Sequence, residues 1–231
     1  DDATRILRAV RYMARLGLDL EPNTSMQLTR DLHHMDGISG DRVRRELELM
    51  LDDETALRAL GLARELGVLA AVHPAVDVAP ELLDRLSAST EGLAQFAALT
   101  YGAEESLLPG LVRRLNMDSE WARVVRDMAS ARAAIPVLAS PDIRQSRIHA
   151  TLRRVHPTAI QACAMATEDA AARGAMERYL AELRYVAPTL NGSDIMALGV
   201  PEGPLVGKAL EALLSARLDG EVLTRLDEER L

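Results

Sequence analysis

Four arginines, Arg5, Arg8, Arg11 and Arg15, recur at steps of three, three and four near the start of the 231-residue chain. At roughly 100° per residue they fall within about 120° of helical arc. Ile6, Leu7, Ala9, Val10, Met13 and Ala14 occupy the remaining arc. One face can therefore be buried while the other carries four guanidinium groups. No acid lies between Arg5 and Arg15, whereas a solvated charged face usually mixes signs to gain i,i+4 pairs. Planar guanidinium forks match phosphate oxygens, so the stripe reads as a phosphate track. The alternative is a plain solvated face with its partners elsewhere.

Asp2 stands three residues before Arg5. The pair can be an ordinary negative charge at the positive end of a helix. It can also read a base, because a carboxylate accepts hydrogen bonds and a guanidinium donates them. Cytosine and adenine each present an amino donor beside a ring-nitrogen acceptor; uracil and guanine present the opposite order. An Asp/Arg pair held side by side would accept C and A and refuse U and G. Each wrong pairing leaves a buried polar group unsatisfied, at a cost of roughly 1–3 kcal/mol.

Other chemistry-bearing residues read more plainly. His33, His34 and Asp36 suggest a metal-dependent phosphohydrolase only weakly, because Met35 interrupts a contiguous His-Asp pair. Asp52, Asp53 and Glu54 read as a helix end and cap. His73 and His156, each followed by proline, read as helix-end residues, and Trp121 as a core anchor. Cys163, in an Ala-rich segment, reads as a core residue rather than a catalytic thiol. Arg113, Arg114, Arg153 and Arg154 lie in helical segments, where a solvated face is the first reading and RNA backbone contact the second.

The elements that must position these residues are helices. Apolar positions recur at three- and four-residue steps between breakers, and no full-length period-2 alternation occurs, so the expected fold class is all-α. Expected helices span about Thr4 to Leu16, Asn23 to Met35, Ser39 to Leu51 and Asp53 to Gly67. A Pro-marked stretch, His73 to Pro80, suggests a boundary, giving a helical domain over residues 1–75 and a helical body and tail over 76–231. Later helices are expected near Gly92 to Tyr101, Ser119 to Ala134, Arg144 to Val155, Thr158 to Arg173, Ala175 to Tyr185 and Pro204 to Leu218, with Ser193 capping a short one.

Composition bounds the function. Apolar residues make up 48%, enough to fold. Net charge is −8, against a generally basic nucleic-acid coat. Six aromatics argue against base-stacking RNA platforms. Lys208 is the sole lysine, so the basic side chains are otherwise arginine. One cysteine excludes internal disulfides and multi-Cys zinc sites and fits a reducing, cytoplasmic setting. No apolar run approaches the roughly 18 residues of a membrane span. The chain opens on Asp1, with a helical pattern at once and no visible targeting peptide, so sequence is expected to precede it.

The segment from Asp1 to Gly17 resembles the neck-helix motif of class II tRNA nucleotidyltransferases and bacterial poly(A) polymerases: an acid, Asp-x-x-Arg, Arg-x-x-Arg, an aromatic and a closing Leu-Gly. Asp1 stands where Glu is usual and Tyr12 where Phe is usual. Glu21-Pro22 and the run Ser39, Gly40, Asp41, Arg42, Val43, Arg44, Arg45, Glu46, Leu47 resemble the following turn and bracing helix, with Asp41 in the place of Glu. Leu190 to Asp194, Leu198 to Pro204, Val206-Gly207 and Leu218 to Val222 resemble the tail, more as in tRNA nucleotidyltransferases than in poly(A) polymerases.

The resemblance implies a nucleotide-binding set of Asp2, Arg5, Arg8 and Arg11, with Asp2 and Arg5 reading the base and Arg8 and Arg11 holding the nucleotide. It implies addition of C and A residues to the tRNA 3′ end from CTP and ATP, with tRNA 3′ end and elbow as partners. The family's Mg2+ site is an Asp-x-Asp pair on a head domain upstream of the neck. No such pair is visible here, so no catalytic or metal residue is assigned and the chain alone is expected to be inactive. The alternatives are a non-catalytic helical RNA-binding or scaffold module and a poly(A) polymerase portion.

Overall fold

The computed structural model describes residues 4–86 and 91–231. Among the described residues every regular element is helical and there is no strand, as the periodicity predicts. None of these helices is long and apolar enough to cross a membrane.

The first compact unit comprises Asp1–Ala133 and Val155–Glu168. It opens with α1 (Thr4–Leu16), which buries Ile6, Leu7, Val10, Met13 and Ala14. That face packs on α3 (Gly40–Leu51) and α4 (Ala56–Glu65). The expected helix from Asn23 to Met35 is instead α2 (Pro22–Asp31) followed by a 3-10 turn, Leu32–Gly37. The Glu21 carboxylate accepts from Thr24 N–H and starts α2 one residue early. Beyond α4, Gly67 (φ +73°) stops one helix and starts α5 (Val68–Val72). After α6 (Pro80–Arg85), the strip Leu93–Ala98 of α7 (Gly92–Ala98), apolar but for Gln95, is buried. It lies against α9 (Ser119–Ala133) and α12 (Pro157–Ala166). The Phe96 and Trp121 rings sit 5.0 Å apart there, so Trp121 is a packing residue.

Arginine closes helix ends throughout this unit. Arg114, in the last turn of α8 (Leu108–Arg114), donates to the carbonyls of Met35 (2.7 Å) and Ile38 (3.0 Å). Arg85 donates to Ala166 and Thr167 at the end of α12. Arg132 donates to Ala103 (2.8 Å) and to Tyr101. Orphan carbonyls at helix ends need such donors, and a guanidinium supplies two at once. Arg114 is thus engaged at a helix end rather than left to solvent.

The second unit comprises Ala134–Arg154 and Asp169–Leu231. It holds α10 (Ile135–Leu138), α11 (Gln145–Leu152), α13 (Ala170–Ala181), α14 (Gly192–Ala197), α15 (Pro204–Leu218) and α16 (Arg225–Glu228). The expected break at Gly174 is absent: Gly174 lies inside α13. The break falls earlier, where Asp169 accepts from Ala172 N–H and caps the helix. A charged N-cap outweighs the roughly 1 kcal/mol propensity cost of one interior glycine. Likewise α14 is capped by Asn191, not Ser193, through a reciprocal box with Asp194.

Leu190, Ile195 and Leu213 form the core beneath α14 and α15. Glu228 is buried beside it and accepts from Thr189 N–H (2.9 Å), Leu190 N–H (2.8 Å) and Arg217 (2.7 Å). Burial alone would raise its pKa, but these donors together hold it below the usual glutamate range. A carboxyl depressed on folding contributes stability above its unfolded pKa, and that contribution disappears as pH falls through the folded value. We therefore expect Glu228→Gln to lose stability at neutral pH and to flatten the acid limb of a urea-unfolding series from pH 7 to 3. An unchanged acid limb would contradict this.

Close packing sets a second expectation. A Cβ on Gly40 would stand 2.2 Å from the Arg114 carbonyl oxygen, whereas nothing lies within 4 Å of one on Gly37. Gly40→Ala should cost roughly 1–3 kcal/mol in urea unfolding, and Gly37→Ala should stay within about 0.5 kcal/mol.

Candidate nucleotide and RNA interface

The site grows from the amphipathic α1. With its apolar arc buried, the opposite arc presents Arg5, Arg8 and Arg15, all exposed, and the partly buried Arg11. Asp2 lies outside the described residues. Arg5 is engaged within the protein.

The stripe is not a uniform row of solvated cations. Glu46, one of the few buried charged residues, reaches it from α3. Its Oε1 accepts from Arg8 Nε at 2.6 Å, and its Oε2 accepts from Arg11 Nη2 at 3.4 Å. The Arg8 side chain remains 50% exposed and that of Arg11 only 14%. Glu46 takes Arg8 through Nε, and Arg8 is engaged further within the protein. Arg11 is mostly enclosed, its Nε buried without a hydrogen-bond partner, and its guanidinium lies 5.2 Å from the Tyr12 ring centre. Arg8 is accordingly the better placed to meet a ligand, and Arg11 the better placed to fix Glu46.

Several contacts fix α3 so that Glu46 points at α1. Val43, Leu47, Met50 and Leu51 bury its apolar side. At its start, Arg44 donates to the Asn116 carbonyl (2.9 Å), and Asn116 Nδ2 donates to Asp41 (2.9 Å). Asn116 adopts a left-handed φ of +46° to make this turn. The short acid Asp41 thus ties α3 to the end of α8. Glu46 was legible only as a motif position; its meeting with Arg8 and Arg11 joins residues 38 and 35 positions apart.

The remaining candidates take structural places. Asp53 accepts from Thr55 N–H (2.9 Å) and Thr55 Oγ1 (2.7 Å). Those two bonds, followed by the more distant charges of Arg15 and Arg11, lower its pKa against its burial. Thr55, not Asp53, is the residue flanking α4. His73 ends α5, and His156 caps α12 by accepting from Thr158 N–H. His33 stacks on His34 with ring centres 4.0 Å apart. Cys163 is fully buried, its thiol pushed up to about 12 by desolvation. Arg153 pairs with Glu211 at 2.8 Å, and Arg154 is exposed. Among the described residues, no three His, Cys, Asp or Glu side chains come together to hold a metal ion.

Residues 17–79 match the family model described as "Probable RNA and SrmB-binding site of polymerase A". The chain is 28% identical to an A-adding tRNA nucleotidyltransferase of Geobacter sulfurreducens, over 100% of this chain and 29% of that protein. It is 27% identical to a CCA-adding enzyme of Geobacillus stearothermophilus, over 96% of this chain and 57% of that enzyme. The chain therefore spans under a third of one relative and little more than half of the other. All of its length superposes on 60% of a Thermotoga maritima CCA-adding enzyme complexed with tRNA, with TM-score 0.79 and 19% identity. It also superposes on 59% of a CCA-adding enzyme in complex with CTP, with TM-score 0.81 and 18% identity. These superpositions establish the fold.

Breaking the shared carboxylate leaves Arg11 enclosed without its counter-charge. Glu46→Ala should destabilise the protein by roughly 3 kcal/mol in urea unfolding. Glu46→Asp, one methylene shorter, should recover only part of that loss. A cost below about 0.5 kcal/mol for Glu46→Ala would mean the carboxylate does not hold the stripe.

Proposed function

We propose that this chain is a member of the family of class II tRNA nucleotidyltransferases and bacterial poly(A) polymerases, on its similarity to A-adding and CCA-adding relatives, and that it is the base-reading and tRNA-binding portion of an enzyme that adds C and A residues to tRNA 3′ ends. The observation that carries this reading is the arginine stripe of α1 held by the buried Glu46.

In this reading Asp2 and Arg5 act as the template. The Asp2 carboxylate accepts from the amino group of cytosine or adenine, and the Arg5 guanidinium donates to the adjacent ring nitrogen. Arg8, half exposed, meets the nucleotide, and Arg11 keeps Glu46, and through it Arg8, in place. The tRNA 3′ hydroxyl attacks the α-phosphate of CTP or ATP; a P–O bond forms to the tRNA and pyrophosphate leaves. Residues 1–75 carry base reading, and residues 76–231 hold the tRNA 3′ end and elbow by backbone shape rather than sequence. This is a division of labour rather than of folding units.

Transfer in this family implies Mg2+. Among the described residues no three His, Cys, Asp or Glu side chains come together that could hold it. Bond making is assigned to the part of the relatives' length that this chain does not match, so the chain alone transfers no nucleotide. A cytoplasmic setting accords with tRNA as substrate.

The test is nucleotide choice in the whole protein. Asp2→Ala and Arg5→Ala should each cut discrimination between CTP or ATP and UTP or GTP by about tenfold or more, corresponding to roughly 1–3 kcal/mol. tRNA affinity should change little. Equal loss of activity with all four nucleotides, selectivity retained, would contradict the template role.

A further inference from the structure

Arg15 and Arg58 are set apart from the rest of the stripe by what surrounds them. Both are exposed, Arg15 in the last turn of α1 and Arg58 on α4. Ala56, Ala59, Leu60 and Ala63 are buried on α4, which packs on α1; small side chains let two helices approach closely and fix their outer faces.

Helix α1 ends with Gly17 at φ +69° and a Leu18 N–H donating to the Met13 carbonyl (3.1 Å), a left-handed helix stop that favours glycine. Arg58 Nη1 lies 3.5 Å from where a Gly17 Cβ would stand. The Arg58 guanidinium therefore rests against the end of α1, in the turn that follows Arg15.

The two groups are also less compensated than their neighbours. Among the described residues, neither Arg15 nor Arg58 makes a hydrogen bond or an ion pair. The acid that feels Arg15 is Asp53, and its carboxylate is already occupied by Thr55. Arg8 and Arg11, by contrast, share Glu46.

Along α1, Arg15 follows Arg8 by seven residues. It lies only about 20° away around the axis and about 10.5 Å further along it. A phosphate held by Arg15 and Arg58 is therefore displaced along α1 from one held by Arg8, as the repeating phosphodiesters of a nucleic-acid strand would be. Guanidinium pairs suit the phosphodiester oxygens of such a strand.

We propose that Arg15 and Arg58 form a clamp for a backbone phosphate of the RNA substrate, separate from the nucleotide-reading end of α1. This rests on the function proposed above.

The test uses the whole protein and the double variant Arg15→Gln, Arg58→Gln, with tRNA binding measured by fluorescence anisotropy across a salt series. The dissociation constant should rise about tenfold or more. The slope of log affinity against log salt should fall by about 1.5, as for the loss of two phosphate contacts. KM for CTP and ATP and the choice among nucleotides should stay at wild-type values. The lysine pair, Arg15→Lys with Arg58→Lys, should recover most of the salt slope, which a purely structural role would not require. tRNA affinity within twofold of wild type, with the slope changed by less than about 0.5, would overturn the clamp. So would a change confined to nucleotide KM, which would put these residues at the nucleotide end. tRNA binding that depends on both arginines in a protein that transfers no nucleotide would support the clamp while contradicting the proposed function.

Discussion

A single buried carboxylate, Glu46, organises the start of this protein. Four like charges on one helix face repel one another and, left to solvent, would sample many rotamers. Burying one carboxylate against two of them replaces that freedom with a definite arrangement. Arg8 is held through Nε while its side chain stays half exposed, and Arg11 is folded in. The desolvation cost of Glu46 is offset only because two cations share it, and neither alone satisfies both oxygens. Preorganisation of this kind lowers the entropy lost when a charged ligand arrives.

The same side chain serves a second purpose elsewhere in the fold. Arg85 and Arg114 each place a guanidinium fork on a pair of backbone carbonyls at the end of a helix or turn, and Arg132 holds two carbonyls through one Nη1. In the second unit the arrangement is inverted: the Glu228 carboxylate collects two backbone N–H groups and Arg217. In a protein of many short helices, orphan backbone groups are numerous. Charged side chains that satisfy two at a time do much of the work that longer helices would do internally. The −8 net charge and the abundance of arginine are therefore poor guides to where a polyanion would bind; the location of uncompensated arginines is the better guide.

What could be read from the chain was what is local. The amphipathic arc of α1, its glycine stop and the all-α class follow from periodicity and propensity, and they stand in the structure. Local competition between signals accounts for the misplaced boundaries: the Asp169 cap prevails over Gly174, and Asn191 with Asp194 prevails over Ser193. Two short helices, α5 and α16, carry too few residues for a periodic signal. Long-range partnership was not legible. Nothing in the spacing says that Glu46, rather than another acid, meets Arg8, or that Arg114 turns inward to Met35 and Ile38, 79 and 76 residues away. The base-reading assignment of Asp2 and Arg5 came from donor–acceptor chemistry and motif resemblance, which specify residue roles without fixing a geometry.

The account stands on the claim that side chains at the head of α1, not a nucleic-acid strand, select the incoming building block. An experimental structure of the whole protein with tRNA and CTP tests this most directly. The account predicts the cytosine amino group and ring nitrogen within hydrogen-bond distance of Asp2 and Arg5, with the triphosphate beside Arg8. A cytosine whose pairing edge faces away from α1, or meets an RNA base instead, would contradict it.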